Sequence, residues 1–315
     1  MKNKQKKWWV FRPVEVIVMA IPILAVASLH ITKAPLFAGL QLVGRAGECP
    51  LPNAMNAERT VQIMNVTTDQ IMAQSQLIRK DEPAGLVLWR TPHGEFWAPP
   101  DTSVSFLLSE QIHGFYGVGE RRVQPGDVVL DCGANIGAFV WEALRAGAKL
   151  VVAIEPSGRN VESLRRNFAR EIAEGRVIVY PKGVWHQEET LTFNVFDNSA
   201  LDSIVMSDRF EAHQQPKKVS IEVTTVDRIV EDLGLERVDF IKMDIEGAER
   251  NALEGARDTI QKLHPRMSIA TENLPDDPRV IPELVARLRP EYRRECGRCG
   301  VRSLIQIQPE VFHFY

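Results

Sequence analysis

Two short runs of this sequence carry side chains whose types and spacing suit chemistry. The first is Asp131-Cys-Gly133-Ala-Asn135-Ile-Gly137, placed between an apolar, strand-like run and a helix-like one. Glycines at such a strand-to-helix turn let the backbone approach a ligand closely. An acid, Glu155, ends the next apolar run twenty-two residues after Gly133, where a carboxylate accepts both hydroxyls of a ribose. That much also suits a nicotinamide dinucleotide. Asp131 separates the two ligands. A dinucleotide lays an anionic pyrophosphate against this turn, and a carboxylate two positions before the first glycine repels it. S-adenosylmethionine brings an ammonium and a sulfonium, which the acid favours. Asn135, standing where dinucleotide folds place their second glycine, points the same way.

The second run is Lys242-Met-Asp244-Ile-Glu246-Gly-Ala-Glu249. Strand alternation puts Lys242, Asp244 and, if the strand continues, Glu246 on one side. Methyl transfer is an in-line displacement for which alignment supplies much of the rate, while an alcohol acceptor still benefits from a general base. Asp244 or Glu246 would take that proton. Lys242 would orient a carboxylate or stabilise developing oxyanion character. The competing reading is a lysine–carboxylate cluster at a helix N-terminus, which acids stabilise without any catalysis. His186 in a loop and Glu272 at a strand end are secondary candidates. Paired oxygens would also suit magnesium, but the sequence does not require a metal.

These residues need strands to carry them. Asp127–Leu130, Leu150–Ile154, Val177–Tyr180, Asp239–Met243 and Met267–Thr271 are apolar runs, with Ser303–Gln308 as a late strand. Helical stretches alternate with them at Ile136–Ala146, Gly158–Glu174, Ala248–Leu263 and Val280–Leu288. Strands alternating with helices predict an α/β fold, a doubly wound, mostly parallel sheet covered on both faces. Its ligand site lies outside the carboxyl ends of the strands, near the switch point. Thr190–Phe196 and Val219–Val226 alternate like antiparallel strands, and the polar stretch Asp197–Gln215 between them is a lid, an acceptor loop or a solvated excursion. Upstream, residues 41–60 read as a linker, Thr68–Lys80 as a helix, Leu86–Arg90 and Glu95–Ala98 as a hairpin, and Ser105–Gly114 as a helix. The expected organisation is a basic and apolar segment over 1–40, a connecting region over 41–110, and the main domain over 111–315.

Composition bounds the rest. A net charge of -3 argues against a broad basic face, so no nucleic-acid partner is expected. Cys296 and Cys299 form one C-x-x-C, with Cys49 and Cys132 distant in sequence. One such pair is not a four-ligand zinc site, so no metal is expected and the pair reads as a turn of reduced thiols. Residues 1–12 are basic, and Val16–Leu29 is an uncharged run of fourteen residues, short of the roughly 20 a full span needs. A span, a cleaved signal and a Pro22-broken anchor compete for it. The first two separate the enzyme from a cytoplasmic methyl donor. The expectation is therefore membrane contact through residues 14–32 with the main domain facing the cytoplasm, and a cytoplasmic chain as the alternative.

The segments GDVVLDCGANIGAF, VVAIEPSGRNVESLRRNF, VTTVDRI and VDFIKMDIEGAERNALEGA, in this order, resemble the FkbM-type methyltransferase family over about residues 115–272. The resemblance implies a class I methyltransferase fold with a seven-stranded sheet whose last strand runs antiparallel. It also implies O-methylation, commonly of a sugar, a glycan or a natural-product hydroxyl. Carried onto this chain, Asp131, Gly133, Asn135 and Gly137 would hold the methionine end of S-adenosylmethionine and Glu155 the ribose. Pro156 and the Lys182–Val184 turn, with Gly183, would border the adenine. Two other classes stay open: a nicotinamide-dependent oxidoreductase, and a silent domain that binds the donor without turnover.

Overall fold

The computed structural model describes residues 48–196, 202–204, 217–303 and 306–315, with Gly39, Leu42 and Gly44. A long helix, α1 (Leu51–Ala73), opens them, with a proline in its first turn, where a missing N–H costs nothing. The linker read over residues 41–60 is thus helical from Leu51 onward. The helix read over Thr68–Lys80 ends at Ala73, because the chain from Gln76 turns into an edge strand. Leu77 and Ile78, half of the apolar side read as helical, stand 43% and 40% exposed on that strand. The strands β1 (Gln76–Asp81), β2 (Leu86–Thr91) and β3 (Gly94–Ala98) form an antiparallel meander. Helix α2 (Val104–Ile112) leads into the main sheet.

From there strands and helices alternate: β4 (Val128–Cys132), α3 (Ala138–Arg145), β5 (Leu150–Ile154), α4 (Gly158–Asn167), α5 (Ala169–Ala173) and β6 (Val177–Tyr180). The short β7 (Gly183–Val184), β8 (Glu189–Val195) and β9 (Lys217–Thr224) make a separate three-stranded sheet. Helix α6 (Val226–Asp232), β10 (Phe240–Met243), α7 (Glu249–Glu254), α8 (Arg257–Leu263), β11 (Arg266–Ala270), α9 (Asp277–Leu288) and β12 (Arg294–Cys296) follow. A hairpin of β13 (Cys299–Ser303) and β14 (Gln306–Pro309) precedes the last strand, β15 (Val311–Phe314).

The main sheet has seven strands in the order β12-β15-β11-β10-β4-β5-β6. Only β15 runs against its neighbours. This is the mostly parallel α/β methyltransferase fold expected. The antiparallel strand is Val311–Phe314, whereas Ser303–Gln308 falls in the hairpin before it. Alternation along β4 divides the core. Val129 faces Phe139, Val140, Leu164 and Phe168 from α3 and α4, while Leu130 joins Ile241, Met267, Ile281 and Leu284 on the other face. The chain crosses from β6 back to β10, so β4 and β10 flank the switch point where ligands bind.

The turn after β4 is tight. Gly133 has φ +82°, and a Cβ there would lie 2.0 Å from the Asp244 carbonyl oxygen. Gly137 has φ +94°, and its Cβ would lie 2.2 Å from the Phe168 ring. The second glycine therefore serves the packing of α3 on α4.

Two expectations are corrected. Cys49 and Cys299 form a disulfide across 250 residues, where the sequence reading has reduced thiols. The start of α1 docks on the β13 hairpin, bringing together cysteines that are remote in sequence. The expected membrane association is not carried by the fold: among the described residues no helix is long and apolar enough to cross a membrane. Residues 14–32, on which that expectation rests, lie outside the described residues.

Alanine at Gly133 or Gly137 combines a left-handed backbone with overpacking, and each should destabilise the chain by about 2–4 kcal/mol in urea unfolding. The Gly133 change should cost more, since its obstacle is backbone. A loss below about 1 kcal/mol at both sites would contradict the packing described.

Candidate active site

A cavity of about 470 Å³ opens at the carboxyl ends of β4, β5 and β10. Gly133, Asn135, Glu155, Pro156, Lys182 and Gly183 line one end. Glu110, Tyr116, Asp244, Glu272, Arg298 and Glu310 line the other, with Lys242 and Glu246 beside them. Asp131 and Gly137 are not in its wall. Seven acidic and three basic side chains face this space, and even with Glu110 neutral the excess of acids disfavours a pyrophosphate.

Lys242 and Asp131 are partners across the parallel β10–β4 pair. The Lys242 Nζ lies 3.2 Å from Asp131 Oδ1 and donates to the carbonyl oxygens of Gly133 at 2.6 Å and Cys132 at 3.4 Å. Burial works against the lysine's charge, but the carboxylates of Asp131 and Asp244 hold its pKa above the ordinary value. Lys242 is thus a pin under the glycine turn. Asp131, fully buried, balances the lysine rather than meeting a ligand.

Glu155 is buried with both oxygens engaged. Oε2 accepts from the Asn135 N–H at 2.9 Å, and Oε1 from the Ser157 N–H at 2.8 Å. Burial pushes its carboxyl up to about 7, against the pull of those two donors. Asn135 sits at φ +49°, a left-handed conformation that asparagine tolerates. Asn160 also borders the cavity, and its buried Oδ1 has no hydrogen-bond partner. Lys182 pairs with Glu222 at 3.1 Å. Of the stretch read as a lid or excursion, residues 202–204 are described. Asp202 and Ile204 line the cavity, and Ser203 bridges back to Asn194.

At the opposite end the Tyr116 hydroxyl donates to Asp244 Oδ2 at 2.5 Å. Strand β10 ends at Met243, so Glu246 reaches the cavity from a turn, at φ +53°, not by strand alternation. Buried Glu249 closes that turn, accepting the N–H of Ile245 at 2.8 Å and of Gly247 at 3.0 Å. Burial, with Asp244 adding to it, pushes Glu249 up to about 8. Burial likewise holds Glu110 well above the carboxylate range, helped by Asp244 and Glu272. Arg298 Nε pairs with Glu310 at 2.5 Å. His186 is not in the cavity wall and stands beside Trp185 with ring centroids 5.5 Å apart. Tyr116, Glu110, Arg298, Glu310 and Asn160 escape sequence reasoning, since no motif or spacing marks them.

The sequence profile described as the methyltransferase FkbM domain matches residues 131–298, more than half of the chain. The chain belongs to the FkbM methyltransferase family. It is 27% identical over 192 residues to the 31-O-demethyl-FK506 methyltransferase FkbM of Streptomyces tacrolimicus, covering 53% of this chain and 73% of that protein. It is 30% identical over 171 residues to the AMB antimetabolite synthetase AmbE of Pseudomonas aeruginosa, covering 42% of this chain but 8% of that protein's length. Among solved structures it is similar to the methyltransferase FkbM from Methylobacillus flagellatus KT, at 17% identity and a TM-score of 0.46, over 82% of this chain and 59% of that one.

The residues present fit S-adenosylmethionine, the donor that an FkbM methyltransferase implies. Glu155 offers a buried carboxylate for the ribose hydroxyls, and Asn160 Oδ1 is an unsatisfied acceptor beside it. A diol donating to Glu155 selects the ionised form of a group that titrates near 7. Affinity for S-adenosylhomocysteine should therefore rise as pH increases from 6 to 8, by up to about tenfold per unit below the pKa. Calorimetry in buffers of different ionisation enthalpy should find a proton released on binding, and Glu155→Gln should flatten the profile. Affinity independent of pH in the unsubstituted chain would contradict this role.

Proposed function

We propose that the chain transfers a methyl group from S-adenosylmethionine to a hydroxyl of a sugar, glycan or natural-product acceptor. When bound, the donor supplies an electrophilic methyl on a sulfonium. The observation that carries the reading is Asp244: a carboxylate just past the end of β10, in the wall of the cavity end that would take the acceptor. Tyr116 holds one of its oxygens by a charge-assisted hydrogen bond. That bond fixes the carboxylate's orientation and leaves lone pairs for an acceptor O–H. Asp244 takes the proton as the oxygen is methylated, and Tyr116 positions it. Lys242, engaged by Asp131 and two carbonyls, serves the turn and is withdrawn from oxyanion duty. Glu246 and Glu272 line the same wall and supply acceptors for further hydroxyls of a polyol. The 31-O-demethyl-FK506 methyltransferase is named for an oxygen acceptor, which supports the same class here.

A second reading, a donor-binding domain without turnover, has one observation in its favour. Tyr116 donates to Asp244 Oδ2 at 2.5 Å, which occupies one of the oxygens that an acceptor hydroxyl would use.

The test is transfer of isotopically labelled methyl to a panel of glycans and hydroxylated natural products. The unsubstituted chain should label a hydroxyl. Asp244→Asn should lower kcat by about 10²–10⁴-fold while leaving donor Kd nearly unchanged. Equal turnover in that variant would remove Asp244 as the base. Tight donor binding with no acceptor labelled would favour the silent domain.

A further inference from the structure

Away from the cavity, three cysteines meet behind the start of α1. Cys49, Cys296 and Cys299 are buried to 1%, 6% and 1% exposure, and their Sγ atoms all lie within 4.8 Å of one another. Cys49 is bonded to Cys299, and Cys296 Sγ stands 3.5 Å from Cys299 Sγ. A disulfide needs two sulfurs. The third is set against it, and its thiol also reaches the Arg298 carbonyl, at 3.8 Å.

Two readings of a third thiol differ in geometry. A thiol poised to exchange with the disulfide attacks in line, which would place Cys296 Sγ about 5.5 Å from Cys49 Sγ, given an S–S bond of about 2.05 Å. The observed limit of 4.8 Å excludes that line and makes the three sulfurs a triangle. Thiolates around one tetrahedral zinc, with Zn–S of about 2.3 Å, stand about 3.8 Å apart. The Cys296–Cys299 separation of 3.5 Å is close to that. The C-x-x-C loop is also held in place from both sides. A Cβ on Gly297 would lie 2.4 Å from His313 Nε2 and 2.7 Å from Val311 Cγ1, so only glycine lets the loop sit this close to β15. On the other side Asn53 Nδ2, in the first turn of α1, donates to the carbonyls of Cys296 at 3.3 Å and Gly297 at 3.0 Å. A neighbouring cavity of about 320 Å³, bordered by Asn53, Cys296 and Cys299, gives an entry path and room for water.

We propose that, once the Cys49–Cys299 bond is reduced, Cys49, Cys296 and Cys299 bind one zinc ion as three thiolates, with water from the adjoining cavity as the fourth ligand. A thiol or phosphine reductant delivers two electrons to the disulfide and is itself oxidised, and the two sulfurs take up two protons. Zinc then displaces three thiol protons to solvent and forms three Zn–S bonds. Soft thiolates suit zinc among the common divalent ions. The site staples the start of α1 to the hairpin that carries Arg298, whose pairing with Glu310 forms part of the acceptor wall. Zinc and the disulfide are alternative staples at one place, exchanged by oxidation.

The experiment is zinc content of the full chain by elemental mass spectrometry, after phosphine reduction and equilibration with zinc against a chromophoric chelator. The reduced chain should hold one zinc and release it on oxidation with diamide. Cys296→Ser, which keeps the disulfide pair, should hold zinc at least about tenfold more weakly. Cobalt bound to the unsubstituted chain should show a thiolate-to-metal charge-transfer band, a readout that depends on no variant folding. A reduced chain without zinc, a Cys296→Ser chain binding as tightly as the original, or cobalt bound without that band would each overturn the proposal. None of these outcomes bears on methyl transfer.

Discussion

The buried pair of Lys242 and Asp131 governs the geometry of everything else in the cavity. Parallel pairing of β10 with β4 sets the two residues side by side, and the lysine then reaches the carbonyl oxygens of Cys132 and Gly133. A glycine turn that must hug the Asp244 backbone presents the carbonyl oxygens of Cys132 and Gly133 toward Lys242. An ammonium with a compensating carboxylate satisfies them. Breaking such a pair by removing one partner leaves an uncompensated buried charge, a loss of about 3–5 kcal/mol. The same ammonium stands 5.2 Å from the centre of the Tyr116 ring, so the pin under the donor turn also touches the residue that orients Asp244. The two ends of the cavity thus share one support.

This arrangement explains a division of labour among acids of similar appearance. Asp131 balances a charge and Glu249 shapes a turn. Glu155 is buried in the cavity wall on two backbone N–H groups, and Asp244 is held by a tyrosine in the same wall. Asp131, Glu155 and Asp244 sit at strand ends or just past them and Glu249 opens α7, so position along the chain alone does not assign their roles. Burial and partners do. The acid-rich cavity also bears on cofactor class. Asp131, paired with Lys242, does not itself repel a pyrophosphate, but the excess of acids in the cavity wall does.

Much of one end of the cavity was legible in the sequence. The apolar runs at β4, β5, β6, β10 and β11 are long enough to be read as buried parallel strands, and a ligand at their carboxyl ends follows from topology. Gly133, Asn135 and Glu155 came from that logic. At the other end Lys242, Asp244, Glu246 and Glu272 were legible at and after strand ends, but Glu110, Tyr116, Arg298 and Glu310 were not, because they arrive from α2, from the loop before β4 and from the C-terminal segment. Tyr116 and Asp244 are 128 residues apart, and no periodicity links them. The cysteine cluster escaped for the same reason: C-x-x-C is visible, but the third sulfur comes from the opposite end of the described chain. The helix read over Thr68–Lys80 failed at its C-terminal half because apolar residues in an exposed edge strand mimic helical spacing over so short a run.

The most direct test of the central claim is calorimetric titration of the full chain with S-adenosylhomocysteine and with NAD in parallel, repeated on Glu155→Ala. Saturable binding of S-adenosylhomocysteine, no binding of NAD, and loss of the first in the variant is the result predicted. Binding of NAD in its place, or S-adenosylhomocysteine binding that Glu155→Ala leaves untouched, would contradict the account of this cavity as a methyl-donor site.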